Sequence, residues 1–293
     1  MASPGFNIRR LRALVPIKRF RDPPPTVAVL RLAGILGQLG PVRRGLTLAG
    51  LARFIEHAFR MRRLEAVALA INSPGGSPVQ AALIARRIRA LAEEKGVPVY
   101  AFAEDVAASG GYWLALAGDE IYAEENSIIG SIGVVSAGFG FPGLLKRIGI
   151  ERRLHTAGER KAMLDPFLQE RADDVERLKT IQRDIHESFE RIVRERRGAK
   201  LAAPEKELFS GEFWTGRRAL ELGLIDGIGD MRTIMRERFG ERVELRLVGD
   251  GRRWWRGRFG FRAGRRQPAD AGDWVAGALA TVEERLLWGR FGL

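Results

Sequence analysis

The 293-residue chain contains no cysteine, which excludes disulfides, thiolate metal sites and a cysteine nucleophile. It has three histidines, His57, His155 and His186, and no two of them stand at a spacing such as HxxxH. A histidine-built metal centre is therefore not expected, and the residues call for no metal and no bound cofactor. Long hydrophobic runs are absent too. No segment reaches the length of a membrane span, and Arg9, Arg10, Arg12, Lys18 and Arg19 interrupt the apolar residues where a signal peptide would need an unbroken core. The expectation is a cytoplasmic protein with no transmembrane helix or signal peptide, able to sit peripherally on the inner face of a membrane.

Lysine is scarce: seven of the 49 basic residues, the rest being arginine. The formal charge of +13 is carried by the ends. Residues 1–31 hold a local +6, and residues 252–266 hold seven arginines with no acid. Together these make up the whole excess. The remaining residues are neutral in sum, so basicity speaks for an anionic surface at the periphery and not for the central function. The hydrophobic content of 45% and charged content of 29% are those of a globular protein.

Three segments are expected: a basic stretch over 1–25, a catalytic domain over 26–248, and an Arg/Trp-rich tail over 249–293 with an amphipathic helix. Within the domain, Thr26 to Leu32 and Ala66 to Ile71 read as buried strands. Leu51, Phe54, Ile55, Ala58 and Phe59 lie on one stripe of a helix within Leu46 to Arg63. Pro78 to Glu94 continues as helix, Val97 to Ala103 as strand, Tyr112 to Ala117 as a short helix and Asp119 to Ala123 as strand. Asp165 and Pro166 predict the cap and first position of a long helix running to about Arg197. The alternation predicts an α/β fold with a largely parallel sheet and its functional groups on loops at strand ends.

Two small-residue loops stand at such ends, Asn72-Ser73-Pro74-Gly75-Gly76-Ser77 and Ala107-Ala108-Ser109-Gly110-Gly111. A glycine pair lets backbone amides approach a ligand, and such donors stabilise an oxyanion. Taken alone, the first loop is also a plain turn and Ser109 also a helix cap. As a nucleophile Ser109 needs a base. No histidine lies in a glycine-rich or turn segment, whereas Lys161 lies in the loop Ala157 to Leu164. An amine can give up its proton where a guanidinium cannot. To act as base near neutrality it must be desolvated.

These residues resemble the signal peptide peptidase A family, the Ser/Lys peptidases of the SppA/SohB type. The resemblance rests on the two loops above, Gly130-Ser131-Ile132-Gly133-Val134, the K-x-x-x-x-P-F pattern within Gly158 to Phe167, Trp214-Thr215-Gly216-Arg217 and Leu222 to Asp226. It implies a ClpP/crotonase-like fold of repeated ββα units. It also implies Ser109 as nucleophile, Lys161 as base, Ser131 as the hydroxyl that places the amine, and the amides of Gly76 and Gly110 as the oxyanion hole. The implied substrates are peptides, notably cleaved signal peptides and other membrane-derived hydrophobic segments. The implied assembly is a homo-oligomeric ring, an octamer in expectation, with serine and lysine supplied by adjacent protomers. An anionic membrane surface is the expected contact of the tails; nucleic acid is not an expected partner. Two rival functions are a crotonase-type acyl-CoA enzyme and a non-catalytic membrane-associated scaffold.

Overall fold

The computed structural model describes residues 23–38, 45–249, 281–282 and 285–292. Most of both basic ends, including Arg252 to Arg266 and Trp254, Trp255 and Trp274, lies outside the described residues, as do Val275 and Leu279 of the expected amphipathic helix.

Three long parallel strands form the centre: β1 (Thr26–Ala33), β2 (Leu64–Ser73) and β3 (Val99–Ala108). Their aliphatic runs are buried on both faces, as parallel strands require. Alternate residues divide between two cores. Ala28, Leu30, Val67, Leu69, Val99 and Ala101 face one; Val27, Val29, Ala66, Ala68, Tyr100 and Phe102 face the other. The first core is covered by α1 (Leu48–Phe59), α2 (Pro78–Lys95), α3 (Gly110–Ala115) and part of the long α5 (Ala172–Arg197). The second is closed by α8 (Met231–Phe239), whose Met235 is fully buried. Helix α2 runs one residue beyond the expected Pro78 to Glu94: Ser77 caps it, Pro78 opens it, and Gly96 ends it at φ 62°.

β3 is paired twice along one edge. Its first half pairs with β4 (Glu120–Ala123), and its last three residues pair with β5 (Ile128–Gly130), both in parallel. β6 (Phe213–Thr215) runs antiparallel to β5, the two-residue β7 (Gly227–Ile228) pairs with β4, and β8 (Glu244–Leu247) lies beside β1. The split places two strand ends, those of β3 and β5, side by side.

Between β5 and α5 the chain runs as an arm over residues 133–171. It contains the short α4 (Pro142–Arg147) and shows no strand at 151–156. The arm is held by the amide of Phe141 donating to the Pro166 carbonyl (2.7 Å), by an Arg152–Asp165 ion pair (2.9 Å) and by the packing of Phe141 on Phe167. The long helix starts at Ala172, not at Pro166. Asp165 does accept from the Phe167 amide at 2.9 Å, but the turn closes at Leu168 and its second carboxylate oxygen is taken by Arg152.

Candidate active site

Ser109 is the single residue between β3 and α3, with φ 51° and ψ −122°. This positive-φ conformation costs a non-glycine residue on the order of 1–3 kcal/mol and persists only where its surroundings impose it. Here they do. The Ser109 amide donates to the Gly130 carbonyl (2.8 Å), and its own carbonyl accepts from the Trp113 amide (3.0 Å). The Ser109 side chain makes no capping hydrogen bond to α3, so the helix-cap role does not account for it.

The first glycine loop lies directly against this serine. A Cβ on Gly75, whose φ is +105°, would stand 2.8 Å from Ser109 Cβ and 3.0 Å from the Gly110 nitrogen. The loop is fixed by two bonds to Leu36: its amide donates to the Gly75 carbonyl (2.8 Å), and its carbonyl accepts from the Ser77 amide (2.9 Å). These bonds flank Gly76, so its own N–H is directed away from Leu36, as alternation along a parallel ladder demands. Gly110 opens α3, and its amide is among those that a helix leaves unpaired at its start. Two backbone donors thus stand beside the Ser109 junction.

Ser131 follows β5. The register Ala108↔Gly130 sets Ser109 and Ser131 next to each other at the ends of adjacent parallel strands. Ser131 is buried, has φ 52°, and donates its amide to the Glu212 carbonyl at 2.6 Å. Gly130 before it is obligatory: its φ is +110°, and a Cβ would press to 2.7 Å on the Trp214 ring.

The sequence model of peptidase family S49 matches residues 91–243, just over half of the chain. The chain belongs to peptidase family S49. Among its relatives, the Na(+)/H(+) antiporter NhaA of Brucella abortus (strain 2308) is 50% identical over 297 residues, covering 100% of this chain and 40% of that protein. The protein of the same name from Brucella melitensis biotype 1 matches with the same identity and coverage. The chloroplastic serine protease SPPA of Arabidopsis thaliana is 31% identical over 212 residues, covering 70% of this chain and 31% of that one. The chain therefore spans less than half the length of each of these relatives.

Within one copy of this S49 chain, Ser109, Ser131, Gly76 and Gly110 come together. No hydrogen bond ties Lys161 to them. The lysine is exposed on the arm, in a turn where its amide donates to the Gly158 carbonyl at 3.2 Å. Among the described residues no group of three or more acids or histidines is placed to hold a metal ion, and no helix is long and apolar enough to cross a membrane.

Two supports of the site carried no local signal. The His186 imidazole on α5 reaches the Ile132 carbonyl, one residue past Ser131, at 3.2 Å. The other support is a buried lock behind α3. Tyr112 donates to the Leu224 carbonyl (2.7 Å), and burial pushes its hydroxyl pKa well up. Asp226 accepts from Arg197 (2.6 Å), Lys200 (2.5 Å) and the Ile121 amide (2.8 Å). Burial alone would raise the Asp226 pKa, but Lys200 and Arg197 outweigh it and hold the carboxyl below its usual 3.8.

The folded-state pKa is thus the depressed one. The stabilisation is complete above the unfolded value of 3.8 and is lost as pH falls through the lower folded value. Asp226→Ala, which leaves the Arg197 charge buried without its partner, is expected to cost about 3–5 kcal/mol at pH 7. Urea midpoints of wild type and variant should converge below pH 3.8; a gap that stays constant to pH 2 contradicts the assignment.

Proposed function

We propose that this chain is a serine endopeptidase that hydrolyses hydrophobic, membrane-derived peptides, cleaved signal peptides among them, by acyl transfer through Ser109. The observation that carries the reading is the conformation of Ser109: a strained, uncapped serine at a strand-to-helix junction, with a glycine loop packed on its Cβ and a second positive-φ serine on the adjoining strand. Ser109 Oγ attacks the scissile carbonyl while the Lys161 amine takes its proton. The carbonyl oxygen becomes an anion that accepts from the Gly76 and Gly110 amides. The C–N bond then breaks, and the amine product leaves with the proton that the lysine carried. Water opens the acyl-enzyme by the same steps in reverse order, with the lysine again as base.

Lys161 belongs to a neighbouring copy in this reading, in a homo-oligomeric ring. The support is the arm, which leaves Val135 (65%), Phe139 (75%) and Ile148 (56%) exposed. Apolar side chains gathered in this way on one extension mark a surface that another protein covers. Covering the arm buries the surroundings of Lys161 and supplies the desolvation that an uncharged amine needs. The basic residues of 1–31 and 252–266 support a peripheral contact with anionic lipid.

The reading is tested by labelling with a serine-directed fluorophosphonate. Wild type is expected to label at Ser109, while Ser109→Ala and Lys161→Ala, both folded, do not. Normal labelling of Lys161→Ala removes lysine from the mechanism.

A further inference from the structure

Ser131 sits in a loop that departs from regular structure in two successive residues, Gly130 at φ 110° and Ser131 at φ 52°. Such a loop needs ties on both sides. On one side the Ser131 amide donates to the Glu212 carbonyl at 2.6 Å, beside the β5–β6 pairing. On the other side, the Ile132 carbonyl lies 3.2 Å from His186 Nε2, and Glu190 Oε1 lies 3.6 Å from the same nitrogen. Both neighbours of Nε2 are acceptors, so the ring carries its hydrogen there and donates. The imidazole is part-buried, and Glu190 is held in turn by Arg194 at 2.9 Å. Arg194 binds Glu205 through two nitrogens, at 2.8 and 3.0 Å. His186, Glu190 and Arg194 follow one another at i, i+4 and i+8 on α5, so one stripe of that helix runs from the Ser131 loop to a fixed anchor.

We infer that His186 is a positioning residue for Ser131: by donating from Nε2 to the Ile132 carbonyl, with Glu190 beside the same nitrogen, it fixes the loop so that the Ser131 hydroxyl stands where it orients the base. The inference rests on the role that the family resemblance implies for Ser131, the hydroxyl that places the Lys161 amine in the proposed acyl transfer. The role assigned to His186 is to place Ser131, so its loss is expected to act on the chemical step and not on binding.

The test is a double-mutant cycle on the full-length assembly, with kcat and KM measured on a hydrophobic peptide. His186→Leu is expected to lower kcat about tenfold, the scale of one hydrogen bond to a buried acceptor, with KM unchanged within about twofold. His186→Gln, whose amide nitrogen reproduces the position of Nε2, is expected to retain kcat within about threefold. In the Ser131→Ala background His186→Leu should add no further loss, because the group it positions is already gone. Independent, additive losses overturn the inference while leaving the Ser131 role intact. So does a kcat for His186→Leu equal to wild type. Full activity of Ser131→Ala removes the Ser131 role itself and the inference with it. If His186→Leu does not fold, His186→Asn, polar but too short to reach Ile132, takes its place in the cycle with the same expectations.

Discussion

Ser109→Ala is expected to abolish peptide hydrolysis, with a loss of about 10³-fold or more, because backbone donors and binding alone retain only a residue of the catalysis that a nucleophile provides. The variant should fold, since the side chain makes no capping bond and the backbone is held by Gly130 and Trp113. Ser109→Gly separates strain from chemistry. It is equally inactive, but glycine adopts positive φ without the steric cost. Relief of about 1–3 kcal/mol of strain, less about 1 kcal/mol of unfolded-state entropy, predicts a protein more stable by up to about 2 kcal/mol. In a chain of this size, 1 kcal/mol corresponds to about 2–4 °C in Tm. A Ser109→Gly variant that melts below wild type would mean that the stored strain is smaller than the entropic cost of glycine, about 1 kcal/mol.

The second large effect is that of Lys161→Met. Methionine keeps the length and apolar stem of lysine and removes the amine. Turnover is expected to fall about 10²- to 10⁴-fold, the range contributed by a positioned base. Subunit assembly is expected to persist, because the exposed apolar residues of the arm remain. Both expectations are read together, by peptide turnover and by sedimentation velocity. Retained turnover would assign the proton to another group, and loss of assembly would give Lys161 a structural role instead.

The physics of the central sheet was open to sequence reading. The aliphatic runs of β1 and β2, the Ser77-Pro78 start and Gly96 stop of α2, and the two glycine loops all depend on residues close together in the chain. β3 was read as ending at Ala103, yet it continues to Ala108 through Glu104 and Asp105. Asp105 accepts from the Asn72 side chain at 2.6 Å, and the Val106 amide donates to Asn72 at 3.3 Å. A polar pair bridging two strand ends carries no hydrophobic period to betray it. The late start of α5 has a similar cause. Asp165 and Pro166 do form a local start, with Asp165 capping the Phe167 amide while its other oxygen pairs with Arg152, thirteen residues earlier, but the turn closes at Leu168 and the long helix begins only at Ala172.

The site divides along the same line. Ser109 and the Gly75-Gly76 loop were legible because each is a local pattern at a strand end. Their meeting, and the pairing of Ser109 with Ser131, come from the two-fold use of the β3 edge, which no local pattern encodes. His186 was legible only as a helical residue, since its partners lie 54 residues back and four residues ahead. Lys161 stood out through the scarcity of lysine, whereas its proposed place beside Ser109 of a neighbouring copy has no local pattern to announce it.

The most direct test is co-expression of Ser109→Ala and Lys161→Met as differently tagged copies, with hydrolysis measured on the purified mixed assembly. If each site takes its serine from one subunit and its lysine from the next, random mixing at equal amounts leaves about a quarter of the sites intact. Activity near a quarter of wild type is predicted from two parents that are each inactive. A mixed assembly as inactive as its parents would contradict a dyad shared between subunits.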